Sequence, residues 1–191
     1  MNPATPEQRS ARLRALLRQR AIRHGEFTLA SGRKSSYYVD GRLVTLHHEG
    51  AWLVARVILD LLAREKVEAV ALGGLTMGAD PIAGAVAAVS HLEGRPLKAF
   101  IVRKEVKGHG TGKRVEGDLI AGDRVVVVDD VITTAGSTLQ AIKAVEEIGC
   151  QVAAVVCLID RQEGGAAALA GYRFLPMFTI AELLQDQPGP A

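Results

Sequence analysis

Asp129 and Asp130 stand side by side in the chain, directly after four consecutive valines (Val125 to Val128) and just before Thr133, Thr134, Gly136, Ser137 and Thr138. The β-branched run predicts a strand buried on both faces of a parallel sheet. Residues 139–148 read as a helix, so the hydroxyl-rich turn opens into a helix N-terminus. Such a terminus offers backbone N–H groups and the positive end of the dipole, which together bind a phosphate. Adjacent carboxylates repel a phosphate but accept hydrogen bonds from the vicinal hydroxyls of a ribose. The occupant that fits both halves is a sugar carrying a phosphate at one end. Asp-Asp after a strand is also a common cap, and Thr/Ser/Gly clusters are common in loops; it is their combination in strand–carboxylate–turn–helix order that points to a site. The chain has no Gly-x-x-x-x-Gly-Lys-Ser/Thr and no Gly-x-Gly-x-x-Gly after a strand, which argues against a nucleoside-triphosphate loop and a dinucleotide fold.

A second group of candidate residues lies at 103–114, Arg-Lys-Glu-Val-Lys-Gly-His-Gly-Thr-Gly-Lys-Arg. Five Lys or Arg, one His and three alternating glycines occur in these twelve residues, between two expected core strands. A connection this charged and hinge-rich is either a solvated hairpin tip or a lid; its length and position favour a lid that admits a polyanion and closes on it. Lys107 and His109 then suit the neutralisation of a departing pyrophosphate.

The elements that must carry these residues alternate along the chain. Thr5-Pro6-Glu7-Gln8 reads as an N-cap, a proline at the first helical position and a capping-box glutamine, opening a helix that runs to about residue 22. Short extended pieces occupy 27–40, and an amphipathic helix at 49–63 aligns Leu53, Val54, Val57, Ile58, Leu61 and Leu62. Strands follow at 69–72, 98–102, 125–129, 152–159 and 172–178, with helices near 82–89 and 139–148, a short Ala-rich helix after 159, and a helical turn at 181–184. Strands alternating with helices predict an α/β fold around a mostly parallel sheet, which binds ligands at the carboxyl ends of its strands. Gly73 and Gly74 are read as lying past a strand, where they let backbone approach a ligand closely. Met77 is left out of the site.

The 191 residues suit a single domain, and 48% hydrophobic with 23% charged residues is a globular composition. A net charge of +2 argues against a nucleic-acid binder. Cys150 and Cys157 lack metal-ligand spacing and are expected as reduced, buried thiols. The Arg-rich N-terminus has no secretory apolar segment and no apolar run is long enough for a bilayer, so a cytoplasmic protein without membrane contact is expected.

Residues 125–138 resemble the phosphoribosyl pyrophosphate (PRPP) segment of type I phosphoribosyltransferases. Phe27-Thr-Leu-Ala-Ser-Gly-Arg-Lys-Ser-Ser-Tyr-Tyr-Val39 and Arg103-Lys-Glu-Val-Lys-Gly-His-Gly are similar to segments of the orotate phosphoribosyltransferase family. The resemblance implies one domain of that fold: a parallel sheet flanked by helices at about 46–185, and a small N-terminal hood at about 1–45. It implies transfer of the ribose 5-phosphate of PRPP to orotate, giving orotidine 5′-monophosphate and pyrophosphate in pyrimidine biosynthesis. Mg²⁺ would be held mainly by substrate and water rather than by a protein cage.

Residue by residue, the resemblance places Asp129 and Asp130 on the ribose hydroxyls and Thr133, Thr134, Ala135, Gly136 and Ser137 around the 5′-phosphate, with Val131 and Ile132 in the same PRPP-binding segment. Arg103, Lys104, Lys107 and His109 would contact the pyrophosphate, partly across a homodimer interface. Lys104, Lys107 and His109, with the two aspartates, would be the catalytic groups. Thr133 and Arg161 would face orotate, whose planar carboxylate suits an arginine fork, and Tyr38 and Val39 would cover the base. Many relatives carry lysine where this chain has Ala30 and Met77; the resemblance implies that Gly73-Gly-Leu-Thr-Met-Gly78, which holds Met77, is the pyrophosphate loop. The competing readings are a phosphoribosyltransferase for a purine or uracil, and a non-catalytic PRPP sensor that binds RNA or DNA; the second fits poorly with the charge.

Overall fold

The computed structural model describes residues 5–28, 32, 34–105 and 113–185. Helix α1 (Pro6–Arg20) starts as its sequence predicts. The Thr5 hydroxyl accepts the Gln8 N–H at 3.3 Å, and the Gln8 side chain accepts the Thr5 N–H at 2.9 Å. It ends before residue 22 because Ile22 already pairs with Val39, opening a two-stranded antiparallel hairpin of β1 (Ile22–Thr28) and β2 (Lys34–Val39). The short α2 (Arg42–Thr45) then leads into α3 (His48–Arg64), whose apolar stripe from Leu53 to Leu62 is buried as its spacing requires. Arg9 on α1 is itself buried, and it is tolerated there because its guanidinium meets both oxygens of Asp60 on α3, at 2.7–2.9 Å.

The remaining strands form one six-stranded sheet. They are β3 (Ala71–Leu75), β4 (Lys98–Val102), β5 (Val115–Glu116), β6 (Arg124–Ile132), β7 (Gln151–Asp160) and β8 (Phe174–Thr179), in the order β5-β4-β3-β6-β7-β8. All neighbours are parallel except β4 and β5. Between them run α4 (Asp80–Leu92), α5 (Gly136–Glu147) and α6 (Gly165–Ala168), with α7 (Ile180–Leu184) at the end. The valine run is buried on both sides: Val126 and Val128 join the core that includes α1, α3 and α4, whereas Val125 and Val127 join the core beneath α5. This is the mostly parallel, helix-flanked α/β sheet that the pattern predicts.

Two of the departures from the expected boundaries matter to the site. Strand β6 continues through both aspartates to Ile132, because Asp129, Val131 and Ile132 remain in register with Cys157, Ile159 and Asp160 of β7. Gly73 and Gly74 lie inside β3 rather than after it. A Cβ at Gly73 would run into the Phe100 carbonyl, and one at Gly74 into the Val128 carbonyl. Their smallness therefore serves strand packing. Cys150 and Cys157 are both free thiols and buried. Among the described residues no helix is long and apolar enough to cross a membrane.

Strand order fixes where a ligand can enter. From β3 the chain proceeds to β4 on one side; β6 lies on the other side of β3 and the chain proceeds outward again to β7 and β8. The connections after β3 and β6 thus diverge, and the crevice between their carboxyl ends is the usual binding position in open α/β sheets.

Candidate active site

A cavity of about 280 Å³ occupies that crevice, lined by Gly41, Arg42, Thr76, Gly78, Lys104, Asp129, Asp130 and Ser137 among others. Asp129 is 6% exposed. One of its oxygens accepts the Ser137 hydroxyl at 2.8 Å and the Thr138 hydroxyl at 3.2 Å, and the other accepts the Asp130 N–H at 3.1 Å. Burial raises its pKa against these donors. Asp130 accepts the N–H of Val131 at 2.9 Å. Burial first, and then the charge of Asp129, push its carboxyl up to about 6. Asp130, with a single backbone donor, is thus short of donors, and for both carboxylates burial outweighs the donors they have, a state that favours a ligand bringing hydroxyl groups.

The loop after β3 closes over the pair. A Cβ at Gly78 would stand 2.6 Å from one oxygen of Asp129 and 2.6 Å from one oxygen of Asp130, so the two carboxylates converge on one small space. Thr76 anchors this loop: its N–H donates to the Val102 carbonyl at 2.9 Å and its hydroxyl to Asp80 at 2.7 Å. The Thr76–Met77 peptide is cis. Met77 is not packed; it is 63% exposed and lines the cavity wall.

On the other side of the pair, α5 begins with Ala135 in the left-handed region (φ 66°) and no side-chain cap. Leu139 N–H returns to the Ala135 carbonyl at 2.9 Å, so the amides of residues 136–138 form the open first turn. A Cβ at Gly136 would meet nothing within 4 Å, which leaves room above that turn. The Ser137 hydroxyl is committed to Asp129, so only its amide remains for a phosphate. Thr134 is exposed, while the Thr133 carbonyl accepts Gly165 N–H at 2.9 Å. Beyond β7, Arg161 N–H donates to the Ile132 carbonyl at 2.9 Å, which ties its backbone to the end of β6. Its carbon lies 5.6 Å from the centre of the Tyr37 ring.

A carboxylate pair, an open helix N-terminus and an arginine now stand at neighbouring strand ends. Residues 46–181 match the phosphoribosyl transferase domain family. The orotate phosphoribosyltransferase of Rhodopirellula baltica is 49% identical over 164 residues, covering 84% of this chain and 85% of the relative. That of a Nostoc species is 46% identical over 188 residues, covering 96% and 90%. The chain belongs to the orotate phosphoribosyltransferase family. The fold agrees: the Mycobacterium tuberculosis orotate phosphoribosyltransferase, crystallised with Fe(III) dicitrate, superposes with a TM-score of 0.82 at 41% identity, covering 92% of this chain and 99% of that one. A crystal structure of the same enzyme with PRPP gives 0.77 at 38% identity, covering 92% and 98%.

Within this family member, the structure gathers Lys104, Asp129, Asp130, Val131, Val39 and Ser137 around one cavity. Other expected residues lie elsewhere. Arg103 does not reach the cavity: its side chain donates to Glu116 at 2.8 Å and its N–H to the Arg114 carbonyl at 2.9 Å, so it braces the stem of the long loop. The Ile132 side chain is buried in the core beneath α5. Tyr38 does not cover the Arg161 region. Alternation along β2 sends it to the outer face, 41% exposed, with its ring 5.7 Å from that of Phe27, and turns Tyr37 inward instead. Lys107, His109 and Ala30 lie outside the described residues.

Several residues of the site escaped the sequence reading. Tyr37 and Arg42 stand in or beside it, and so do Thr76 and Gly78, which belong to the segment expected as the pyrophosphate loop but were given no role of their own. Arg42 is held by Asp40, which accepts its Nε at 2.9 Å and its N–H at 3.1 Å; that arginine keeps the Asp40 carboxyl below its ordinary range. The Asp40-Gly41-Arg42 run after Tyr37-Tyr38-Val39 was the available signal, a turn with a cation at its end.

Proposed function

We propose that this chain transfers the ribose 5-phosphate of PRPP to orotate, releasing orotidine 5′-monophosphate and pyrophosphate in pyrimidine biosynthesis. The observation that carries the reading is the buried carboxylate pair of β6 beside the open first turn of α5, at the crevice between β3 and β6. Asp129 and Asp130 accept the ribose hydroxyls, with Asp129 oriented by Ser137 and Thr138. Thr133, Thr134, Ala135, Gly136 and Ser137 receive the 5′-phosphate through backbone amides and the free hydroxyls. As the pyrophosphate departs, positive charge developing on the ribose is stabilised by the adjacent carboxylates, so the protein works by positioning and charge rather than covalent attack. Arg161 takes the orotate carboxylate, and Tyr37 stands over the arginine.

Mg²⁺ fits this site as a companion of the donor. The described residues hold no group of three or more His, Cys, Asp or Glu that makes a cage, yet two carboxylate oxygens converge beside Gly78. Asp129 and Asp130 would meet the ion through ribose hydroxyls or water, and it would supply charge neutralisation on the pyrophosphate. Lys104, from the wall, and Lys107 and His109, from the loop, are assigned to the same leaving group.

The homodimer is part of the proposal. An apolar hollow of about 630 Å³ adjoins the site through Arg42 and Met77 and is walled by Leu43, Leu46 and Pro81; Leu46 is 71% exposed. Exposed apolar surface of this kind fits a second protein surface. A cytoplasmic location is proposed with it.

The test is ultraviolet monitoring of orotate with PRPP and Mg²⁺. PRPP-dependent loss of orotate is expected. No loss, with turnover of a purine or uracil instead, overturns the assignment.

A further inference from the structure

Arg161 is already paired within the chain. Its Nη2 lies 2.7 Å from a Glu163 carboxylate oxygen, and the two side chains are only 12% and 17% exposed. Its Nε is buried and has no partner. The pairing spans just two residues, so it depends on a fixed turn. Asp160, 5% exposed, accepts the Gln162 N–H at 2.8 Å, and Gln162 adopts a φ of 57°. Arg161 N–H and Gly165 N–H are tied to the Ile132 and Thr133 carbonyls, each at 2.9 Å. Both ends of the turn are therefore stapled to the end of β6, and Glu163 is presented to the guanidinium by the fold.

A largely buried guanidinium needs a counter-charge. Glu163 supplies it when no ligand is bound, occupying one edge of the fork that a substrate carboxylate would use. Binding at Arg161 is then an exchange: one carboxylate leaves as another arrives. We infer that Glu163 is a specificity-determining residue, an internal competitor that Arg161 releases only to a ligand whose own carboxylate comes with further contacts. The inference rests on the reading that Arg161 receives the orotate carboxylate. Small carboxylates such as acetate, lacking a ring to place against Tyr37, displace Glu163 only weakly. A bulkier planar carboxylate does, and it also brings an acceptor within reach of the unpartnered Nε.

The experiment compares wild type, Glu163→Gln and Glu163→Asp with PRPP and Mg²⁺ present. The amide in Glu163→Gln keeps the volume and removes the competing charge. Its KM for orotate should fall by about tenfold, the scale of one charge-assisted contact, while the KM for PRPP stays unchanged. Acetate should inhibit it competitively against orotate at concentrations about tenfold lower than for wild type. Glu163→Asp, whose shorter arm holds the charge farther from the guanidinium, should give acetate inhibition between that of wild type and that of Glu163→Gln. An orotate KM that is unchanged or higher in Glu163→Gln, with acetate inhibition as in wild type, overturns the inference. If Glu163→Gln proves unfolded by thermal melting, acetate inhibition of Glu163→Asp stronger than orotate-competitive inhibition of wild type supports the competitor, and equal inhibition rejects it. Failure of the underlying assignment looks different: wild type itself would not consume orotate.

Discussion

Asp130 carries a proton affinity that its unliganded surroundings impose. Burial and the neighbouring Asp129 raise its carboxyl from 3.8 to about 6, so between those values the folded protein holds a proton that the unfolded chain has already lost. Stability then falls as pH rises through that window, the reverse of a salt-bridged carboxylate. Asp130→Asn should accordingly stabilise the unliganded protein at pH 7–8, and the gain should vanish towards pH 4; melting curves of both proteins across pH check this. For the ligand the sign is opposite. Ribose hydroxyls need the ionised acceptor, so PRPP affinity should weaken as pH drops below about 6 in wild type, measured by calorimetry with Mg²⁺ present. A flat profile would mean that Asp130 does not accept from the sugar.

At the scale of elements, the short loop between β3 and α4 does more than its sequence advertises. Its Thr76 is pinned to β4 and to Asp80, and its Gly78 lies where any side chain would collide with both carboxylates. Gly78→Ala places a methyl in the space assigned to the sugar hydroxyls. PRPP binding should fall by at least about tenfold, the scale of one lost charged hydrogen bond, with only a small change in melting temperature, since the loop is on the surface of the crevice. The long loop between β4 and β5 shows the same division of labour. Arg103 pairs with Glu116 across its stem, leaving Lys104 as the cation that the described part of the loop delivers to the cavity.

For the whole molecule, two cores clamp the sheet, and the site lies on the rim that both leave free. Beside it, the hollow walled by Leu43, Leu46 and Pro81 exposes apolar surface that a second copy would cover. Leu46→Glu should convert the proposed dimer to monomer, read by sedimentation or light scattering, and should lower turnover if loop residues act across the interface. A monomeric wild type would remove the dimer from the proposal.

What the sequence alone determined is what neighbours along the chain determine. A continuous β-branched valine run, two carboxylates at its end and a hydroxyl turn entering a helix are all set within one short stretch, and residues 125–138 adopt that order with boundaries shifted by a few positions. The capping box at Thr5 is equally local. Contacts between distant segments decided the rest. Which of Tyr37 and Tyr38 turns inward depends on the register of β2 against β1, and a one-residue slip would exchange them. That Gly73 and Gly74 serve packing while Gly78 meets the aspartates follows from β3 lying between β4 and β6. That Arg161 is held by Glu163 beneath Tyr37 needed the turn after β7 to be tied to the end of β6. Local chemistry follows from covalent neighbours, but which groups share a cavity is set by strand order and register, and only the packed sheet fixes those.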